Sequence, residues 1–356
     1  AVVLFPLVCF FITVPYIINQ YHKYGSVSFF RTLVVYSFIL YLMCSFFVTI
    51  LPLPSLEEES NLTTNWVQLK PFSFISDFFR LTVFKITDFS TYIKALKQPI
   101  FYTNAFNIVL TMPFGFYLRY YFKKNWKEVI FYSFLYSLFF EVVQFSALFG
   151  IYPRPYRLFD VDDLILNTLG GYLGYLIFPL FRKILPKREE IDNKAFENGK
   201  KVTFSRRVFA FIIDFCFYTL IYIFASIFID LSDLYIYLFL IYNILSSIIF
   251  GNTIGKNIVK IKVCDEKGNK PKFYYFILRY LLRFIFYLYL IFIPSIFMNG
   301  VNDNIKTIFF IIILVIMGFV YVSSFIKIVT KKNNLFYEKI TKTHLVSILD
   351  FEKKSD

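Results

Sequence analysis

Residues 32–56 read TLVVYSFILYLMCSFFVTILPLPSL, an uninterrupted run between Arg31 and Glu57 without a single Lys, Arg, Asp or Glu. A helix that crosses a bilayer needs about 20 such residues. Residues 284–302, between Arg283 and Asp303, repeat the pattern. Working outward, the qualifying stretches lie at approximately 1–20, 28–52, 101–122, 128–151, 163–182, 207–229, 233–252, 276–297 and 307–328. None alternates with a strand period, and in lipid only a helix or a closed barrel satisfies its own backbone. The expected fold class is therefore all-α: a polytopic transmembrane helix bundle of about nine spans, counted from these stretches.

Composition agrees. Hydrophobic residues make up 58% of the 356 and charged residues 17%. Soluble domains run about 45–50% apolar and about 25% charged, so a soluble or a disordered chain is excluded. The net charge of +14 reads as Lys and Arg at cytoplasmic span ends and against anionic lipid, and a nucleic-acid partner is not needed to account for it. Cys9, Cys44, Cys216 and Cys264 show no CxxC spacing and only two His occur, so neither a zinc site nor a disulfide framework is expected, and no metal or cofactor is implied. Residues 1–20 lack a basic leader and a small-residue cleavage site, and read as a span.

Lys and Arg crowd alternate connections: 22–31, 119–127, 182–201, 256–272 and 327–332. The intervening ones carry Glu57 to Glu59, Asp160, Asp162 and Asp163, Asp230 and Asp233, and Asp303. The positive-inside rule then places the first set in the cytoplasm, with Ala1 outside and the C-terminus inside a multi-pass plasma-membrane protein. Residues 53–100 become one long outside segment, where FRLTVF at 79–84 predicts a short amphipathic surface helix. The polar run PKREEIDNKAFENGKKVT marks 186–203 as a cytoplasmic linker. It separates a membrane domain at 1–185 (five spans) from one at 204–348 (four spans), with 349–356 as a cytoplasmic tail.

Ionisable groups inside spans are costly and need a reason. Glu141 stands in SLFFEVVQF with Gln144 three residues on, on the same helix face. Asn104 and Asn107 open the third span; PRPYRLFDVDDLILN brings Arg154, Arg157, Asp160, Asp162 and Asp163, and Asn167 follows in the fifth. On this topology all meet near the outer surface, with Glu141 in reach of Arg157. Asp163, Asn167, Gly170, Gly171 and Gly174 share a face on which another helix can approach closely. Two readings stand side by side: an ion pair locking a re-entrant loop, and a pocket of Asn107, Glu141, Gln144, Arg157, Asp160, Asp162, Asp163 and Asn167 that engages a head group. The Asp spacing is a weak match to a calcium loop.

NIVLTMPFGFYL, SLFFEVVQF and RLFDVDDLILNTLGGYLGYLI, with VQLKPF ahead of them, resemble the VanZ family over roughly residues 30–185. The family's pattern falls on Asn107, Pro113, Gly115, Glu141, Gln144, Arg157, Asp160, Asp162, Asp163, Asn167, Gly170 and Gly174. The resemblance implies a bacterial plasma-membrane protein; the family's namesake lowers susceptibility to teicoplanin, and no settled catalytic mechanism comes with it.

In the second domain Arg207 and Asp214 lie two helical turns apart, with Arg207, Arg279 and Arg283 as natural partners for a buried Asp214. Val259, Ile261 and Val263 alternate with Lys260 and Lys262 ahead of the turn DEKGN, which predicts a small basic cytoplasmic β-hairpin. GNTIGK has three residues between its glycines and Asn after Lys, so it is not a phosphate loop. These residues resemble the RDD family over roughly 203–348, through Arg207, Asp214, Gly251, Thr253, Gly255, Lys256, Val263, Asp265, Gly268 and Arg279. That family's closing His-Asp pair leading to Thr falls on Tyr337, Glu338 and Thr343, two departures from the pattern. Some of its members are connected with transport. An Arg–Asp pair bracing a four-helix unit is the structural alternative.

Three functions follow as expectations. The first is a binding protein for membrane lipids, in particular a lipid-linked cell-wall precursor, so that glycopeptide antibiotic is affected indirectly. The second is an outer-leaflet head-group enzyme with a Glu/Asp acid–base or metal site. The third is a lipid or ion transporter.

Overall fold

The computed structural model describes residues 4–51, 53, 66–152, 154, 155, 157–230, 234–298 and 335–349. The chain divides into two compact units, residues up to 11 with 29–191, and residues 12–28 with 192–356. The second unit thus takes in residues 12–28, which the sequence reading assigned to the first domain, and its division from the first falls inside the polar run at 186–203, which folds as helix Arg188–Gly199.

Among the described residues five helices are long and apolar enough to cross a membrane: α1 (Leu4–Tyr24), α2 (Phe29–Ile50), α6 (Trp126–Phe145), α7 (Val161–Phe181) and α9 (Phe204–Ser226). This is a multi-pass membrane protein, and five of the nine expected spans are found among the described residues. α5 (Pro99–Tyr120) has the length, yet Thr103, Asn104, Asn107, Thr111 and Arg119 dilute its apolarity. α10 (Tyr235–Ile249) has 15 residues, about 22 Å of helix against a hydrocarbon core of about 30 Å. α12 (Phe273–Met298) has 26 residues, with Arg279 and Arg283 in its first half and no Lys, Arg, Asp or Glu from 284 onward. The ninth stretch, 307–328, lies outside the described residues.

In the first unit α5 and α7 pack at backbone distance. A Cβ on Gly115 would fall 1.7 Å from the Gly171 carbonyl oxygen, and one on Gly174 1.9 Å from that of Met112. Only hydrogen at these positions lets the helices touch, the small-residue packing expected where lipid supplies no hydrophobic drive. α6 closes the group, with Ser133 against Gly171 and the Phe114 and Tyr136 rings stacked at 4.4 Å. α6 begins at a capping box: Asn125 accepts from the Glu128 N–H at 3.0 Å, and Glu128 accepts from the Asn125 N–H at 2.9 Å. An amphipathic helix, α3 (Ser73–Leu81), lies mostly ahead of the expected stretch and ends where Thr82 turns extended, so only 79–81 of 79–84 is helical; α4 (Ser90–Leu96) follows. A two-residue parallel pairing joins β1 (Val67–Gln68) to β2 (Phe159–Asp160).

In the second unit α8 (Arg188–Gly199) precedes α9, and α11 (Ile254–Ile258) leads into β3 (Ile261–Asp265). The expected local hairpin is corrected here. The DEKGN turn forms, with the Asp265 carboxylate accepting from the Lys267 and Asn269 N–H groups. No strand returns from it, because Pro271 and Lys272 run straight into α12. β3 instead pairs antiparallel with β4 (Thr343–Ser347), after α13 (Phe336–Ile340), in the register Ile261 to Ser347 through Asp265 to Thr343. Val259 stays outside the strand because Lys260 is left-handed at φ 56°.

Candidate functional site

In the first unit the polar residues of α5, α6 and α7 gather at one end of the three helices. Asp160 is the N-cap of α7, its carboxylate accepting from the Asp162 N–H at 2.8 Å. Asp162 and Asp163 fill the first turn, where the helix dipole favours negative charge. Asp162 points across to α3. Its Oδ1 accepts from the Phe72 N–H at 2.6 Å, and its Oδ2 from the Ser73 hydroxyl at 2.5 Å and the Phe74 N–H at 2.9 Å. It therefore caps a helix ninety residues earlier in the chain, while Gln68 Nε2 reaches Asp160 at 3.3 Å and Asp162 at 3.4 Å. Burial pushes the Asp160 carboxyl up, and the neighbouring Asp162 charge adds to this against the pull of the Asp162 N–H.

Asp163 turns the other way, accepting from Asn107 Nδ2 at 2.5 Å. One turn deeper, Asn167 Nδ2 donates to Ser137 Oγ at 3.0 Å, and the Thr111 hydroxyl donates to the Asn167 carbonyl at 2.8 Å. Glu141 and Gln144 are buried. The Glu141 Oε2 accepts from the Asp160 N–H at 3.0 Å. Gln144 Nε2 and Arg157 Nη1 both donate to the Thr49 carbonyl, at 3.0 and 2.8 Å.

The structure brings the eight predicted residues to one end of the helices in three hydrogen-bonded groups, Asn107 with Asp163 and Asn167, Glu141 with Asp160 and Asp162, and Gln144 with Arg157, while Glu141 and Arg157 interact through charge without a direct bond. Among the described residues no ion pair joins them; the Arg157 guanidinium is exposed and takes a backbone carbonyl instead. Among the described residues no group of three or more His, Cys, Asp or Glu is placed to hold a metal ion. Asp162 and Asp163 spend their oxygens on opposite neighbours, α3 and α5, which accounts for that arrangement. Gln68 and Ser73 were not among the candidate residues; the side-chain hydrogen bonds that bring them in span about ninety residues, beyond any local pattern.

The second unit holds two buried clusters. In one, Glu338 Oε1 pairs with Arg279 Nη2 at 2.7 Å and Arg207 Nη1 at 2.9 Å. Arg279 also donates to the Thr343 hydroxyl at 2.6 Å, and its guanidinium sits 5.1 Å from the Tyr337 ring centre, an aromatic contact that a phenol supplies as an imidazole would. Burial pushes the Glu338 carboxyl up, but the two guanidinium charges outweigh it and hold the group below the usual carboxylate range. The expected Arg207–Asp214 pairing is therefore replaced by Arg207–Glu338. Asp214 anchors the second cluster, accepting from the Thr253 hydroxyl at 2.6 Å, the Gly255 N–H at 2.7 Å and the Tyr242 hydroxyl at 3.3 Å. Lys256 Nζ donates to Tyr280 Oη at 2.6 Å and to Thr253 Oγ1 at 3.0 Å.

Arg206 was overlooked. It is fully buried, and its guanidinium donates to the carbonyls of Gly199 (2.7 Å), Val259 (2.7 Å) and Lys260 (2.8 Å). Helix phase gave no signal for it, although Arg206, Ala210, Asp214 and Tyr218 recur every fourth residue and are the buried residues of α9.

Comparison with known proteins places residues 38–182 in a match to the VanZ/LLP1 family and residues 201–335 in a match to the RDD family, in that order along the chain. Protein VanZ of Enterococcus faecium is 31% identical over 88 residues, which cover 23% of this chain and 48% of that protein. The chain thus spans about half the length of this curated relative. No solved structure matches it.

Proposed function

We propose that the VanZ-like unit is a head-group binding site at the outer leaflet of a bacterial plasma membrane, with the C-terminus of the chain in the cytoplasm. Its ligand is a lipid-linked cell-envelope component, and holding or shielding that component lowers susceptibility to lipoglycopeptides of the teicoplanin type. The match to the VanZ/LLP1 family and to Protein VanZ supports the reading.

The observation that carries it is the state of Arg157. An exposed guanidinium with one hydrogen bond to the Thr49 carbonyl keeps most of its five donors for a phosphate or carboxylate. Glu141 and Asp163 feel the Arg157 charge but make no direct bond to it; Glu141 holds the Asp160 N–H and so fixes the loop that carries Arg157. Asn107 and Gln144 lock the neighbouring backbone and Asp163 at the same end.

The test is teicoplanin susceptibility of a sensitive host expressing the wild type, Arg157→Ala or Arg157→Gln, with membrane protein level measured alongside. Both variants are expected at normal level with protection lost. Protection retained by both at equal protein level overturns the reading.

A further inference from the structure

We propose that residues 69–97 form a shelf immersed in the lipid leaflet at which α7 begins, with apolar side chains among the acyl chains, lysines on the phosphates, and a preference for anionic phospholipid. This contact does not depend on the role given to Arg157.

The segment is built rather than loose. The Phe78 ring of α3 lies 5.2 Å from that of Phe84 and 6.0 Å from that of Phe101 in the first turn of α5. Phe84 in turn lies 4.8 Å from Tyr92 of α4. Side chains hold the connection between the helices: Gln98 Oε1 accepts from the Val83 N–H and Thr91 Oγ1 from the Lys85 N–H, both at 3.0 Å. Asp162, in the first turn of the span α7, accepts from the Phe72 and Phe74 N–H groups at the start of α3. The shelf is thereby fixed at the level where a membrane-crossing helix begins.

This inward packing leaves a second set of apolar side chains outside. Phe89 at the start of α4, Ile93 and Leu96 follow at spacings of four and three, one helix face, and Ile86 precedes them. Ile86, Phe89 and Ile93 are 71%, 81% and 66% exposed. Phe72, Ile75 and Phe79 are exposed along α3. A contiguous apolar surface of this kind marks a contact, and beside the start of a span the contact is the bilayer.

The charges select the lipid. Lys85, Lys94 and Lys97 stand next in sequence to Ile86, Ile93 and Leu96, so each ammonium on its flexible stem reaches the phosphates while its neighbour enters the chains. Lys70, Lys85, Lys94 and Lys97 are all exposed, and among the described residues no ion pair takes their ammonium groups. The acids of the segment are engaged within it: Asp77 pairs with Arg80 at 3.0 Å, and the Asp88 carboxylate accepts from the Ser90 N–H at 3.0 Å. Glu57 to Glu59, earlier in the same connection, lie outside the described residues. Free lysines bordering an apolar surface complement an anionic leaflet.

Photo-crosslinking from within the shelf tests this. The full-length protein, with p-benzoylphenylalanine in place of Phe89 or of Ile93, is irradiated in vesicles of equal parts phosphatidylglycerol and phosphatidylcholine, and adducts are identified by mass spectrometry. Lipid adducts are expected at both positions, with phosphatidylglycerol favoured by about fivefold or more, the effect of one Lys at an anionic surface. Lys85→Gln, Lys94→Gln and Lys97→Gln combined should bring the two lipids near equality with lipid adducts retained, and Arg157→Ala should leave the preference as it is. Lipid adducts missing at either position, or replaced by cross-links to a second copy of the chain, overturn the proposal. So do equal capture of the two lipids by the wild-type lysines, a preference unchanged in the combined lysine variant, or one lost in Arg157→Ala.

Discussion

The Glu141 carboxylate holds the backbone N–H of Asp160 at 3.0 Å, so a buried acid of one helix fixes the N-cap of the next. The pair explains how an ionisable group persists inside α6 with no cation directly bonded to it. Its charge-capable oxygen serves a backbone donor that would otherwise be stranded at a helix start.

Glu141→Gln keeps an acceptor for that donor, whereas Glu141→Ala removes it. The Ala variant should lose about 1–3 kcal/mol, the cost of an unsatisfied buried group, and the Gln variant less. Thermal unfolding of the two in detergent checks the order; equal losses would show that the contact with Asp160 is not what Glu141 is for.

Asp162 supplies three acceptor contacts to the start of α3. Asp162→Ala should cost about 1–2 kcal/mol, as cap removals do, and free residues 72–81 to exchange amide hydrogens faster. Unchanged exchange there would contradict the capping role.

Glu338 gives a pH dependence with a definite sign. Its folded pKa lies below the unfolded value of about 4.3, so the stability it contributes is fully present above that unfolded value and is lost as pH falls through the folded one. Thermal stability should therefore drop in the acid range in the wild type and less steeply in Glu338→Gln. That variant should also be less stable at neutral pH by about 3–5 kcal/mol, because two buried guanidinium groups lose their counter-charge. A pH profile identical in the two proteins would refute it.

Gly115→Ala places a Cβ on the Gly171 carbonyl and must push α5 from α7. A loss of about 1–3 kcal/mol is expected from overpacking. Gly171→Ala, blocked by Ser133, should be partly rescued by Ser133→Gly, since that clash is with a side chain. Failure of the rescue would move the tight contact elsewhere.

The membrane class and the polar cluster were legible because both are written locally. Charge-free runs mark spans, and Asn107, Glu141, Gln144 and the 157–167 segment fall at matching helix ends. What stayed hidden depends on distance in the chain. β4 pairs with β3 across about eighty residues, Asp162 reaches back to Ser73, and Glu338 takes Arg207 away from Asp214. Helix phase did not reveal Arg206: seven residues bring Arg207 within about 20° of Asp214 and eight bring Arg206 only within about 80°, yet Arg206 is the buried one and Arg207 turns to Glu338.

The central claim is that Arg157 engages the head group of an envelope lipid, and the lipids that travel with the protein test it most directly. Mass spectrometry of extracts from wild type and Arg157→Ala, purified at equal yield of folded protein, should show a lipid-linked species with the first that is missing from the second. The same lipids in the same amounts with both proteins would contradict the account.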